Sequence, residues 1–374
     1  MKIVHMSSVH PWNDTRIFIK MCKSLAAAGH EVHWVVPRND ATAVQTVDGV
    51  VIHAVEKSRN RLKRMLQTTE NVLKTALTLN GDLYHFHDAE FLRLIPRYQK
   101  MTGKTFIYDA HEDIREAVEY KKYLPRPLRK LLSWYVGKVE DRVSRLIPVI
   151  SATPHISRRF KHSPHSVTIN NYPLRDELSA GNAGQNLPET GRFIYVGGIT
   201  EPRGIENMIR AAAATDGASI TLCGNWSSPQ FREQCLDGIA PDKVIERGFL
   251  NRMELAGELA QAQAGVVLFL PGPNHTCSQP NKMFEYMAAQ KPLIASNFPL
   301  WQEIIEKNRC GLCVDPNSVT AIAAAMEYLR IHPEEAAAMG VNGRRAVMEQ
   351  YNWESEFQKL LSFYHTLMTE KQGS

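Results

Sequence analysis

The chain holds 374 residues, of which 44% are hydrophobic and 22% charged, so it reads as a soluble globular protein too long for one ordinary α/β core. No apolar run is long enough to span a bilayer, and the opening Met1-Lys2-Ile3-Val4-His5-Met6 is too short for a signal-peptide core, which leads us to expect a cytoplasmic protein. The net charge of +5 is unevenly divided: residues 1–170 carry 27 Lys and Arg against 16 Asp and Glu, and the remainder carries 17 against 23.

In chain order, short apolar runs alternate with amphipathic stretches. Residues 3–6 predict a strand, 16–28 a helix stopped by Gly29, and 32–36 a second strand, which is a βαβ opening. Strands follow at 83–87, 105–108 and 146–150, with helices at 57–79 and 128–145. Alternation of this kind predicts a parallel sheet covered on both faces. Residues 172–191 are rich in Pro, Gly and Asn and nearly free of large apolar side chains, a linker composition. A second series then begins, with strands at 193–196, 219–222, 243–246, 265–269 and 292–295 and helices at 203–214, 252–262, 280–289 and 318–330. The tail, 353–368, is amphipathic at helical spacing. We therefore divide the chain into an N-terminal Rossmann-like domain (1–175), a linker (176–191), a C-terminal Rossmann-like domain (192–351) and a terminal helix (352–374) expected to pack back on the first domain.

The first segment with chemical content is Tyr195-Val196-Gly197-Gly198-Ile199-Thr200-Glu201-Pro202-Arg203-Gly204. Two glycines at a strand end let backbone approach a ligand, the following helix N-terminus favours an anion, and Arg203 adds a phosphate-matching fork. An ordinary tight turn has the same composition. The second is Gln279-Pro280-Asn281-Lys282-Met283-Phe284-Glu285. Lys282 falls in the first turn of a helix, where the dipole disfavours a cation unless an anion lies close. Glu285 lies on the same face, placed either to accept bonds from a ribose diol or to pair with Lys282. Cys310-Gly311-Leu312-Cys313 has metal or redox spacing, but no further ligands are suitably spaced and the segment reads as a short strand. No Asp-x-Asp occurs, so we expect no metal site for a diphosphate.

These two segments, in this order and roughly 80 residues apart, resemble the retaining GT-B glycosyltransferase family typified by sucrose synthase and bacterial phosphatidylinositol mannosyltransferases. The resemblance covers nearly the whole chain. It implies an α/β fold of GT-B architecture, two Rossmann-like domains facing each other across a cleft, and a nucleoside-diphosphate sugar as donor. It implies phosphate contacts from the turn holding Gly197, Gly198 and Arg203 and ribose contact by Glu285; Lys282 could replace a missing phosphate-binding cation from the neighbouring helix, and Asn281 and backbone at Gly248, Phe249 and Leu250, the last three for the base, are further expected donor-binding positions. In the first half, His10-Pro11-Trp12-Asn13-Asp14-Thr15-Arg16 matches a loop over the donor phosphates, His87 follows a strand near the site, and His111 in Tyr108-Asp109-Ala110-His111-Glu112-Asp113 matches a residue that meets the donor sugar. Arg203, Lys282 and His111 are the expected catalytic residues. The chain departs from the family in two places: Cys277 stands where the first Glu of the Glu-x7-Glu motif belongs, and Gly198 where an Arg is frequent.

The expected acceptor is a glycan or a polyprenyl-linked glycan in bacterial cell-surface polysaccharide assembly. Basic clusters at 57–64 (Lys57, Arg59, Arg61, Lys63, Arg64) and 121–130 (Lys121, Lys122, Arg126, Arg129, Lys130) suit a nucleic acid, an anionic membrane surface or plain solvent. We expect the membrane, on the inner face, and no nucleic acid. Two rival functions stay open: a sugar-nucleotide 2-epimerase using Asp14, Glu112 or Asp113, and a non-catalytic nucleotide-sugar binder. A dinucleotide oxidoreductase is disfavoured because no Gly-x-Gly-x-x-Gly follows the first strand.

Overall fold

The computed structural model describes residues 1–38, 44–58, 60, 63–119, 125–176, 178 and 188–372. The chain divides into two compact units, one formed by Met1–Asn171 with Glu356–Ser374 and the other by Tyr172–Ser355. Most of the predicted linker, like Arg59, Arg61, Lys121 and Lys122 of the basic clusters, lies outside the described residues.

In the first unit the described strands are β1 (Lys2–Met6), β2 (Glu31–Arg38), β3 (Val44–Val47), β4 (Val50–Glu56), β5 (Leu83–Phe86), β6 (Thr105–Ala110), β7 (Val149–Ser151) and β8 (Ser166–Thr168). They form one sheet in the order β3-β4-β2-β1-β5-β6-β7-β8. Every pair is parallel except β3 with β4. Runs such as Val32–Val36 have no exposed residue because helices cover both faces.

Among the departures from expectation, three concern the first 80 residues. The β3–β4 hairpin turns on Asp48 and Gly49, both at positive φ (50° and 79°), the conformation that an Asp-Gly pair favours. Because β4 continues to Glu56, the helix expected from residue 57 is described only from Arg64, first as a π-helical turn to Thr68 and then as α2 (Thr69–Thr78). The helix expected at 16–28 winds as a π-helix over Thr15–Cys22 before the short α1 (Lys23–Ala27). Asp14 caps it, accepting from the backbone N–H of Arg16 and Ile17. The wide winding goes with an inward Arg16 and Lys20, which reach Asp109 and Asn171. Helices α3 (Ile95–Thr102), α4 (Ile114–Glu119) and α5 (Arg126–Val143), with a short helical turn at Pro154–Ser157 between β7 and β8, complete the crossovers.

The second unit holds a parallel sheet of β9 (Arg192–Val196), β10 (Ser219–Cys223), β11 (Val244–Gly248), β12 (Ala264–Val267), β13 (Leu293–Ser296) and β14 (Gly311–Val314), ordered β11-β10-β9-β12-β13-β14. Its longer helices are α6 (Ile205–Ala214), α7 (Pro229–Leu236), α8 (Arg252–Gln261), α9 (Asn281–Ala288), α10 (Pro299–Asn308), α11 (Val319–Ile331) and α12 (Pro333–Glu349). The Cys310–Cys313 segment is part of β14 and its approach, and both thiols are free. The last helix, α13 (Trp353–Gln372), is fixed to the first unit. Its Tyr364 hydroxyl lies 2.6 Å from His85 Nδ1, and Glu356 accepts the backbone N–H of Asn170 at 2.9 Å.

One packing contact sets the site-bearing edge of the second sheet. A Cβ at Gly265 would strike the ring of Tyr286, so β12 lets that ring lie against it. The Tyr286 hydroxyl then accepts the N–H of Val196 at 2.8 Å, immediately before Gly197. Gly265→Ala should destabilise the protein by about 1–3 kcal/mol through overpacking. Urea denaturation measures this, and an unchanged midpoint would show that the ring has room to move.

Candidate functional site

In the second unit the chain leaves β9 through Gly197, whose φ is 125° and whose Cβ would sit 2.7 Å from Lys282 Nζ. Only glycine combines that backbone conformation with so close an ammonium. Lys282 Nζ donates to the Tyr195 hydroxyl at 3.0 Å, and that hydroxyl donates to the Gly198 carbonyl at 2.9 Å. The ammonium also lies 4.2 Å from the Tyr195 ring centre and 5.2 Å from that of Phe269. Arg203 stacks on Phe269 with its Cζ 3.9 Å from the ring centre. Two cations thus share one aromatic platform at a glycine turn. Among the described residues neither has a carboxylate within ion-pair distance. Burial pushes the Lys282 ammonium down to about 7, with the Arg203 charge acting in the same sense and Glu285 opposing. An anion placed between the two would relieve both effects.

The pairing of Lys282 with Glu285 that spacing allows is not formed. Glu285 accepts instead from Arg252 Nη1 at 2.9 Å. Arg252 opens α8 behind an Asn251–Glu254 capping box. Gly248 closes β11 at φ 64°, Phe249 beside it is 81% exposed, and Leu250 packs against the core. Asn281 is exposed at the start of α9, and Cys277, eight residues before Glu285, is half-buried.

The first unit holds a second constellation, which strand register creates. His5 and His85 are partners across β1 and β5, and Phe86 and Tyr108 across β5 and β6, so His5, His85, His87 and Asp109 fall on one face. Arg16 donates twice to Asp109, at 3.1 and 2.8 Å. His87 Nδ1 and His111 Nε2 lie 3.1 and 3.0 Å from the same carboxylate. Burial presses the Asp109 carboxyl up, but Arg16, His111 and His87 outweigh it and hold it well below the ordinary carboxylate range. An ionised Asp109 only accepts, so both imidazoles turn an N–H toward it. His87 Nε2 is then an acceptor for His5 Nδ1, 2.9 Å away. Burial pushes His87 down to about 4, so it stays neutral.

His87 is therefore buried with both nitrogens engaged, and it supports His111, which keeps 19% of its side chain exposed. Asp14 is committed to capping and to His10, whose Nδ1 is 3.1 Å from it. The His10 ring is 5.0 Å from that of His111. Burial alone would lower its pKa, but the bond to Asp14 and the charges of Asp88 and Asp14 raise it overall. Two trios have atoms within metal-ligand reach of one another: His5, His85 and His87, and His87, Asp109 and His111. In the second, a cation would compete with Arg16 for Asp109.

Two family descriptions match the chain: "Glycosyltransferase Family 4" over residues 15–171 and "Glycosyl transferases group 1" over residues 190–330. An MMP alpha-(1->4)-mannosyltransferase of Mycolicibacterium hassiacum is 30% identical over 299 residues, spanning 76% of this chain and 71% of that protein. The chain belongs to the group 1 glycosyltransferases of GT-B type. The fold agrees: sucrose-phosphate synthase of Thermosynechococcus elongatus superposes with a TM-score of 0.76 at 20% identity, covering 99% of this chain and 100% of that one. HepE of Anabaena, solved with UDP-glucose, gives 0.72 at 14% identity over 99% and 100% of the two chains.

For this glycosyltransferase, sequence reasoning singled out Gly197, Gly198, Arg203 and Lys282, and the structure brings them together. Tyr195 and His10 lay inside the quoted segments but were given no role of their own, and Phe269, two residues beyond β12, was missed. A position just past a strand's carboxyl end is the signal that would have flagged Phe269. If a diphosphate binds between Arg203 and Lys282, it will raise the Lys282 pKa from about 7, and binding will take up a proton at a pH between the free and bound values. Calorimetry of UDP and GDP binding at about pH 8, in buffers of different ionisation enthalpy, should show an uptake of about one proton, absent in Lys282→Met. Equal uptake by that variant would rule out this titration.

Proposed function

We propose that this glycosyltransferase is a retaining, metal-independent enzyme that moves a hexose from a nucleoside-diphosphate sugar to a glycan or polyprenyl-linked acceptor in bacterial cell-surface polysaccharide assembly. It would work in the cytoplasm, at the inner face of the membrane. One observation carries the reading: Arg203 and Lys282 share the Phe269 ring at a glycine turn, without a carboxylate counterion among the described residues.

The chemistry follows from that pair. As the bond from the anomeric carbon to the β-phosphate oxygen breaks, negative charge gathers on the departing diphosphate, where Arg203 and Lys282 stabilise it. The acceptor hydroxyl attacks from the same face and gives its proton to the leaving phosphate, so configuration is retained and no enzyme nucleophile is consumed. Glu285 accepts bonds from the ribose, with Arg252 holding its carboxylate in place, and backbone at Gly248–Leu250 meets the base. His111 acts on the transferring sugar, oriented through Asp109. The epimerase alternative loses support from two of its carboxylates, since Asp14 caps a helix and Asp113 pairs with Arg159 at 2.7 Å.

Arg203→Ala and Lys282→Ala should each lower turnover by about 100-fold or more. Transfer from UDP- and GDP-sugars to glycan and polyprenyl-linked acceptors measures this, and near-normal turnover in either variant would remove that residue from the reaction. His111→Ala should lower kcat and kcat/KM together while leaving nucleotide affinity unchanged. A change confined to the acceptor KM would move His111 to acceptor binding.

A further inference from the structure

Helix α5 carries an apolar face that the first unit does not cover. Leu128, Leu131, Trp134 and Tyr135 are 46%, 61%, 60% and 58% exposed. Their spacing places them on one side of two consecutive turns. The opposite side, Ser133, Gly137, Glu140 and Val143, is buried, and at Gly137 the helix packs so closely on Arg115 that a Cβ would strike the guanidinium. The direction of the exposed face is thus set by packing. Isolated exposed apolar residues are ordinary, but four large ones on two turns form a patch that needs a partner.

Charge selects the partner. Arg126, Lys130, Lys138 and Arg142 of the same helix are exposed, whereas its two acids are taken, Glu140 by Arg159 at 2.6 Å and Asp141 by Arg115. Large apolar side chains with a Trp and a Tyr, bordered by cations, match the boundary between anionic headgroups and acyl chains. Topology adds a second observation. Crossover helices run opposite to the parallel strands they connect, so α5 begins at the carboxyl end of the sheet, the end that holds His111. The approach to α2 begins at that same end, and there Met65 and Leu66 are 40% and 46% exposed next to the exposed Lys63.

We propose that α5 lies in the surface of an anionic lipid membrane with Leu128, Leu131, Trp134 and Tyr135 inserted below the headgroups. The inference rests on the membrane partner proposed above and deepens it from charge attraction to insertion by a defined face.

The test uses the full chain with vesicles of phosphatidylglycerol and phosphatidylcholine, against phosphatidylcholine alone, at low and high salt. Trp134 emission, taken as the difference between the wild type and Trp134→Phe, should shift to the blue on the mixed vesicles only. The double variant Leu131→Ser/Trp134→Ser should lose about tenfold or more in vesicle partitioning, with its melting temperature and UDP affinity unchanged. Salt-reversible binding that the double variant retains, with no blue shift, would overturn insertion while leaving an electrostatic membrane partner. No binding to either vesicle, with sugar transfer intact, would overturn both. A wild-type dimer that the double variant turns into a monomer, without vesicle binding, would assign the face to a second copy and overturn the proposal.

Discussion

Parallel pairing is the constraint from which both units take their chemistry. When neighbouring strands all run one way, their carboxyl ends share one edge, and the chain must leave that edge through turns that no ladder partner covers. Gly197 and Phe269 occupy such exits in the second unit, and His10, His87 and His111 in the first. Residues distant in sequence meet there because register aligns them. Lys282 reaches Tyr195 across 87 positions and Arg16 reaches Asp109 across 93.

The two constellations handle charge in opposite ways. Asp109 is fully buried and saturated, holding two bonds from Arg16 and one each from His87 and His111. Removing one partner from such a pair typically costs about 3–5 kcal/mol, because the other is left buried and unpaired. That rigidity suits a group whose role is to hold an imidazole in one tautomer. Among the described residues Lys282 and Arg203 have no carboxylate counter-charge, and burial together with the Arg203 charge lowers the Lys282 pKa. A ligand that brings negative charge offsets both effects on binding.

Much of this was legible in the sequence, for reasons that also explain the rest. Strands such as β9 and helices such as α9 announce themselves through periods of two and 3.6 and through the glycines and prolines at their ends. The π-helical winding of Thr15–Cys22 was not legible, since its apolar residues fit an α-helix equally well. The β3–β4 hairpin did leave a signal in Asp48-Gly49, but its first strand, β3, has no buried residue, so no apolar alternation drew attention to it. Partner choice was the least accessible. Spacing offered Lys282 to Glu285, whereas packing gave Glu285 to Arg252, 33 residues away, and kept Lys282 for the platform. The aromatic rings beneath the cations were invisible for the same reason: Phe269 reads as one more core residue until the register of β12 against β9 is known.

The position of α13 bears on the order in which the molecule is assembled during synthesis. The unit that begins at Met1 also contains Glu356–Ser374. The ribosome therefore makes the whole of Tyr172–Ser355 before Tyr364 can reach His85. Until then His85 on β5 lacks that hydroxyl and Asn170 lacks the Glu356 carboxylate. A nascent chain paused anywhere in the second unit exposes the incomplete first one to solvent and to chaperones. The unit that starts earliest is thus the last to close.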